Sequence, residues 1–205
     1  MRNALTIALT AVAFAAAIGV SLTAQALDLN PLSAIKSAVE AAVEDRSADD
    51  IATDTRIKTE ITVEVVDKMA GSIISVSADV YEQDVMLTGA VENAETKAKA
   101  AKLAAAVKGV KRLYNEIMVV KPVDKKQGAV EGFVDDTVIE SKINALLLDG
   151  QGVNVTNFRW RSVHGHVFLF GRALNTAERN KAVSIVKAIK NVTSVTNRVK
   201  VKPKG

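Results

Sequence analysis

The two histidines of this 205-residue chain, His164 and His166, flank a single glycine. Two imidazoles this close could begin a metal site or exchange protons. A metal site needs three or four ligands, and no third ligand stands nearby in sequence. Gly165 supplies the positive φ of a tight turn, so the trio reads as a hairpin corner. The chain has no Cys, which removes thiolate nucleophiles, Cys-ligated zinc, iron–sulfur clusters and disulfides together. Its carboxylates are scattered over helix surfaces, and no Ser, His and Asp arrangement marks a nucleophile. The expectation is no catalytic residue, no metal and no cofactor, hence not an enzyme.

Cations beside rings offer more. Arg159, Arg161, Arg198 and Lys200 share a strand parity with Phe168 and Phe170. Such a surface can hold an anionic partner by charge and gain from desolvating the rings. A smaller group, Phe133, Val138 and Lys142, stands off the core stripe at the start of a helix, without a Trp or Tyr anchor. Residues 132–205 carry 12 basic and 5 acidic side chains, against 9 and 11 for residues 50–120. A basic half facing an acidic half is a statement about partners.

What positions these residues is one unit written twice. At a constant offset of 82 residues, Asp54-Thr55-Arg56-Ile57 falls on Asp136-Thr137-Val138-Ile139, and Val85, Leu87 and Gly89 fall on Val167, Leu169 and Gly171. Dispersed identities at one offset mark a duplicated domain. Each copy opens with a helix whose apolar positions recur at i, i+4, i+8: Ile57, Ile61 and Val65, or Ile139, Ile143 and Leu147. In copy two, Thr137 and Glu140 have capping-box spacing. Two alternating segments follow, Val76 to Tyr81 with Val85 to Gly89, or Phe158 to Val163 with Val167 to Gly171. The short turns Glu82-Gln83 and His164-Gly165 make each pair a hairpin. An Ala-rich helix follows in copy one (94–107) and its counterpart in copy two (176–189). A last strand, 113–119 or 195–201, closes the unit. Strand–helix–strand implies a right-handed parallel crossover. The fold class is therefore α+β: two αββαβ domains, each a three-stranded mixed sheet with two helices on one face.

Alternation then assigns the faces. Phe158, Trp160, Val167, Leu169 and Val199 should point to the helices. Arg159, Arg161, Val163, Phe168, Phe170, Arg198 and Lys200 should point to the open face. The equivalent face of copy one carries Ser77, Asp79, Tyr81, Met86, Thr88, Glu116 and Met118, and is acidic and apolar. The two faces can dock, within a chain or between chains, or the basic one can meet anionic lipid headgroups. Core packing is the expected role of Trp160.

The first 26 residues read as a secretory signal: Arg2, an apolar run from Ala4 to Val20, and Ala24-Gln25-Ala26 before a cleavage point. Export to the periplasm sets nucleic acid aside as a partner despite a pI near 9.2. Residues 27–49 form an N-terminal helix and linker, with Asn30-Pro31 as its start. Domain one then spans 50–120, a linker 121–131, domain two 132–201 and a basic tail 202–205.

The Val-x-Leu-x-Gly of the second strand, Lys108-Gly109-Val110 and Tyr114-Asn115-Glu116-Ile117, and the tract Glu44-Asp45-Arg46-Ser47 together resemble the BON domain. Asn191 replaces the Gly that Gly109 supplies in copy one, and no lipobox Cys is present. The resemblance implies a periplasmic envelope-maintenance or osmotic-stress protein, with its BON domains on anionic phospholipid membrane surfaces, peripheral to the membrane. The alternative is an interaction or adaptor module for envelope proteins, or for a second copy, acting by docking of the complementary faces.

Overall fold

A computed structural model describes residues 45–69, 73–120 and 135–203. The signal segment, the predicted helix within 27–44, the linker 121–131 and Phe133 lie outside the described residues. Copy one comprises α1 (Ala48–Met69), β1 (Ile73–Tyr81), β2 (Asp84–Val91), α2 (Ala94–Ala105), β3 (Arg112–Asn115) and β4 (Met118–Val119). Copy two comprises α3 (Asp136–Asp149), a 3-10 turn (Val155–Asn157), β5 (Phe158–Val163), β6 (His166–Ala173), α4 (Thr176–Lys187) and β7 (Ser194–Val201).

In each copy the hairpin is antiparallel and the last strand runs parallel to the middle one. The single closing strand expected in copy one is interrupted at Glu116-Ile117, where Ile117 turns into the core. Its register survives the break, since Leu87 opposes Asn115 and Ala90 opposes Met118.

Two cores lie between sheet and helices. One gathers Ile57, Ile61, Val65, Leu87 and Ala104, the other Ile139, Ile143, Leu147, Leu169 and Val186. Trp160 packs against the second core, and its indole N–H donates to the Glu140 carbonyl at 3.2 Å.

The motif glycines have a steric cause. Gly89 (φ +119°) and Gly171 (φ +109°) lie where a Cβ would stand 2.2 Å from the Ser75 carbonyl oxygen and 2.1 Å from that of Asn157. No side chain fits either position. Gly109 (φ 97°) and Asn191 (φ 73°) both take the left-handed conformation, so Asn does in copy two what Gly does in copy one.

An aspartate of each first helix, Asp54 in the second turn of α1 and Asp136 at the start of α3, clamps the hairpin turn. Asp54 accepts from the amides of Glu82 (2.7 Å) and Gln83 (2.8 Å). Asp136 accepts from the amides of His164 (2.7 Å) and Gly165 (2.9 Å). All four turn residues have positive φ, so the clamp also holds Glu82 and Gln83 in a conformation that L side chains disfavour. The capping box expected at Thr137 and Glu140 does not form. Asp135 caps α3 by accepting from Thr137 and Val138, and Glu140 reaches across to the amide of Ser162 at 2.9 Å.

Candidate functional site: paired sheet faces and an exposed helix

The sheet face expected to stand open is covered. The outward faces of the two sheets pack on each other, giving four layers in the order helices, sheet, sheet, helices. Between the sheets Tyr81, Met86 and Ala90 meet Val163, Phe168 and Phe170, with Tyr114, Met118 and Val120 at the margin. Phe168 and Phe170 are 3% and 2% exposed, which removes them from any surface available to lipid in this arrangement. Tyr114 meets Phe170 edge-on, ring centroids 6.1 Å apart.

The cations of copy two find carboxylates of copy one. Arg161 lies 3.2 Å from Asp79, Arg198 2.7 Å from Glu116, and Lys200 pairs with Asp84. Arg159 donates to the Thr156 and Phe158 carbonyls and sits over the Tyr81 ring, 5.6 Å from its centroid. The pairs Asp79–Arg161 and Glu116–Arg198 each join positions 82 residues apart, the repeat offset itself. Equivalent positions therefore meet across a local two-fold axis, as in an isologous dimer. Had both copies kept the same residue, like charges would have faced each other there.

Asp79 and Asp84 are buried, at 3% and 2% exposure. Asp79 keeps the Arg161 guanidinium protonated, its pKa raised against the opposing effect of burial. Burial pushes the Glu140 carboxyl up from its ordinary value, and the Ser162 amide and Arg161 only partly oppose this.

Sequence reasoning missed the clasp that ties the tract before α1 to both domains. The Asp45 amide donates to Asn157 Oδ1 at 3.0 Å, while Arg172 and Lys202 reach the Asp45 carboxylate at 3.0 and 2.9 Å. The hydrogen bond from Lys202 lowers the Asp45 pKa. Next to it, Arg46 pairs with Asp54 at 2.5 Å and lies 4.3 Å from the Tyr81 ring centroid. Arg172 also pairs with Glu82 at 2.5 Å. The tract's resemblance to the family was its only signal.

Of the predicted helix site, Val138 and Lys142 are exposed on α3. Leu146, one turn beyond Lys142, continues their stripe, and Leu148 is exposed on the opposite flank of the helix; the prediction left out both. Val138 and Leu146 are each 45% exposed and Leu148 is 70%. A signal was present: Leu146-Leu147-Leu148 occupy consecutive helical positions, and only Leu147 can face the core. The equivalent face of α1 carries Arg56, Glu60, Val63 and Glu64, with Arg56 and Glu60 paired at 2.6 Å.

His164 and Gly165 form the predicted turn, and His166 follows as the first residue of β6. Among the described residues, no group of three His, Asp or Glu could hold a metal ion. Among the same residues, no helix is long and apolar enough to cross a membrane.

Comparison with known proteins agrees with this architecture. The BON domain family model matches residues 53–121 and 135–203. The chain is 34% identical over 136 residues to osmotically-inducible protein Y of Escherichia coli, covering 66% of this chain and 65% of that protein. It is 32% identical over 120 residues to outer membrane lipoprotein DolP of Haemophilus influenzae, covering 58% and 59%. It is 31% identical over 132 residues to an uncharacterised protein of Anaplasma centrale, covering 64% and 85%. The chain thus spans less than two thirds of the first two of these proteins.

Proposed function

The chain belongs to the BON-domain family, and from that premise we propose that it is a non-catalytic periplasmic protein that binds anionic phospholipid surfaces peripherally. The binding element in this reading is the outer face of α3. The observation that carries it is the exposed stripe Val138, Lys142 and Leu146, with Leu148 exposed on the other flank of the helix. Leu side chains placed at the headgroup boundary gain from leaving water, and each nearby cation adds about 1 kcal/mol at an anionic leaflet. Support comes also from the names of two relatives, one osmotically inducible and one an outer membrane lipoprotein. Export through residues 1–26 would place the protein beside such a surface.

Co-sedimentation with vesicles tests the reading. The full mature chain should bind phosphatidylcholine vesicles containing phosphatidylglycerol and leave pure phosphatidylcholine vesicles in solution. Leu146→Ser with Leu148→Ser should weaken that binding by about tenfold or more, given about 1.5–3 kcal/mol for a fully buried Leu. Val63→Ser on the matching face of α1 should leave it unchanged. Equal binding by the α3 variant and the unaltered protein would reject this helix as the site.

A further inference from the structure

The face that docks on copy one has the composition of an anion-binding surface. Arg161, Arg198 and Lys200 point from it around Phe168 and Phe170. Each of these cations meets a carboxylate of copy one, which stands where a phosphate would stand on an anionic partner. Among the described residues, those between the sheets form a smaller apolar cluster than either domain core. The charges around it favour a fixed closed state less than their number implies, because the desolvation cost of a buried pair offsets much of its Coulombic gain. An interface selected only to stay shut would gain from apolar replacements. Charges retained on both faces keep each domain soluble when the faces part.

We propose that this basic sheet face is a second, latent binding surface for anionic phospholipid headgroups, held closed by copy one acting as an internal anion mimic. At a membrane, headgroup phosphates replace Asp79, Asp84 and Glu116 as partners of Arg161, Lys200 and Arg198. The two Phe rings exchange the opposing sheet for the interfacial region of the bilayer. Asp79 and Asp84, released from Arg161 and Lys200, return to water and keep Lys58 and Arg112 of their own domain as partners. The surface is distinct from α3, so either can fail without the other.

Two measurements on the full mature chain test this. Asp79→Asn with Asp84→Asn removes two of the mimicking charges while keeping side-chain size. Its binding to phosphatidylglycerol vesicles should rise by at least about fivefold, the effect of one further cation at an anionic surface. Binding to phosphatidylcholine vesicles should not rise. The gain must survive Leu146→Ser with Leu148→Ser. If it vanishes in that background, α3 accounts for all binding and the latent surface is rejected. The second measurement leaves the Asp79 and Asp84 pairs unaltered. With no native Cys to interfere, Glu116→Cys and Arg198→Cys can be bridged by a short bismaleimide, which fixes the domains together. The bridged protein should bind phosphatidylglycerol vesicles at least about fivefold more weakly than the same variant with both thiols capped singly. Equal binding by bridged and capped protein overturns the proposal, whatever the fate of the Asn variant.

Discussion

Copy one and copy two share a core plan and differ on both of their outer surfaces. Their first helices bury Ile57, Ile61 and Val65, and Ile139, Ile143 and Leu147, at equivalent positions. Their turn-clamping aspartates, Asp54 and Asp136, are equivalent as well. On the sheet face, however, Asp79 and Glu116 of one copy correspond to Arg161 and Arg198 of the other. On the helix face, Glu60 and Glu64 correspond to Lys142 and Leu146. Burial fixed the residues inside each domain. On the sheet faces, the two copies carry opposite charges at equivalent positions, which makes the faces complementary. On the helix faces, copy one carries Glu64 where copy two carries the exposed Leu146. Duplication thus yields a closed pair in which the stripe Val138, Lys142 and Leu146 of α3 replaces the stripe Arg56, Glu60 and Glu64 of α1.

The sharpest way to break this comparison is to cut the seam rather than a core. Leu169→Ala, in the core of copy two, should cost about 2–5 kcal/mol, and Phe170→Ala, in the seam, about 3–5 kcal/mol. Urea unfolding checks both. Strand alternation with an open face predicts that Phe170→Ala is far milder than Leu169→Ala, and burial of Phe170 between the sheets reverses that expectation. A Phe170→Ala loss of under about 1 kcal/mol would mean that the sheets are not packed in solution.

A smaller effect separates the two turn clamps. Asp54→Ala leaves buried amide donors unpaired, at about 1–3 kcal/mol. It also releases a turn that has no glycine. Asp136→Ala should cost less, because His164-Gly165 already has a residue suited to positive φ. Equal losses in thermal melts would show that backbone strain at Glu82-Gln83 contributes nothing.

The smallest expected effect is electrostatic. Burial raises the Glu140 pKa in the folded state above its unfolded value. Its contribution to stability is therefore complete below the ordinary carboxylate pKa and is lost as pH rises through the raised folded value. Glu140→Gln keeps an oxygen for the Ser162 amide and removes this titration. Relative to the unaltered protein, the variant should gain stability between mildly acidic and neutral pH. A stability difference that does not change across that window would place Glu140 in a well-solvated site.

Much of this arrangement was legible in the sequence. The 82-residue offset revealed the repeat, and alternation placed each strand residue on its correct face, because side-chain direction along a strand is a local property. The complementary charges of Asp79 and Arg161 were visible too. Where those faces go was not, since docking within one chain depends on how two domains meet. The misread capping box shows a local limit: Thr137 and Glu140 had the right spacing, but Asp135 two residues earlier is the better cap. The shared Asp54 and Asp136 were noticed as identities, while their partners lie 28 residues away on another element.

The Asp45 clasp carries a consequence for timing. Asp45 and Lys202 are 157 residues apart in sequence, yet they form an ion pair. A chain made from its N-terminus, or threaded across a membrane in that direction, has to leave this contact open until residue 202 has emerged. Asn157 and Arg172, the other holds on Asp45, also come late. Copy one must therefore wait with Tyr81 and Met86 uncovered while copy two is still arriving. During that interval it is an incomplete protein with an apolar patch, and the one most in need of a chaperone.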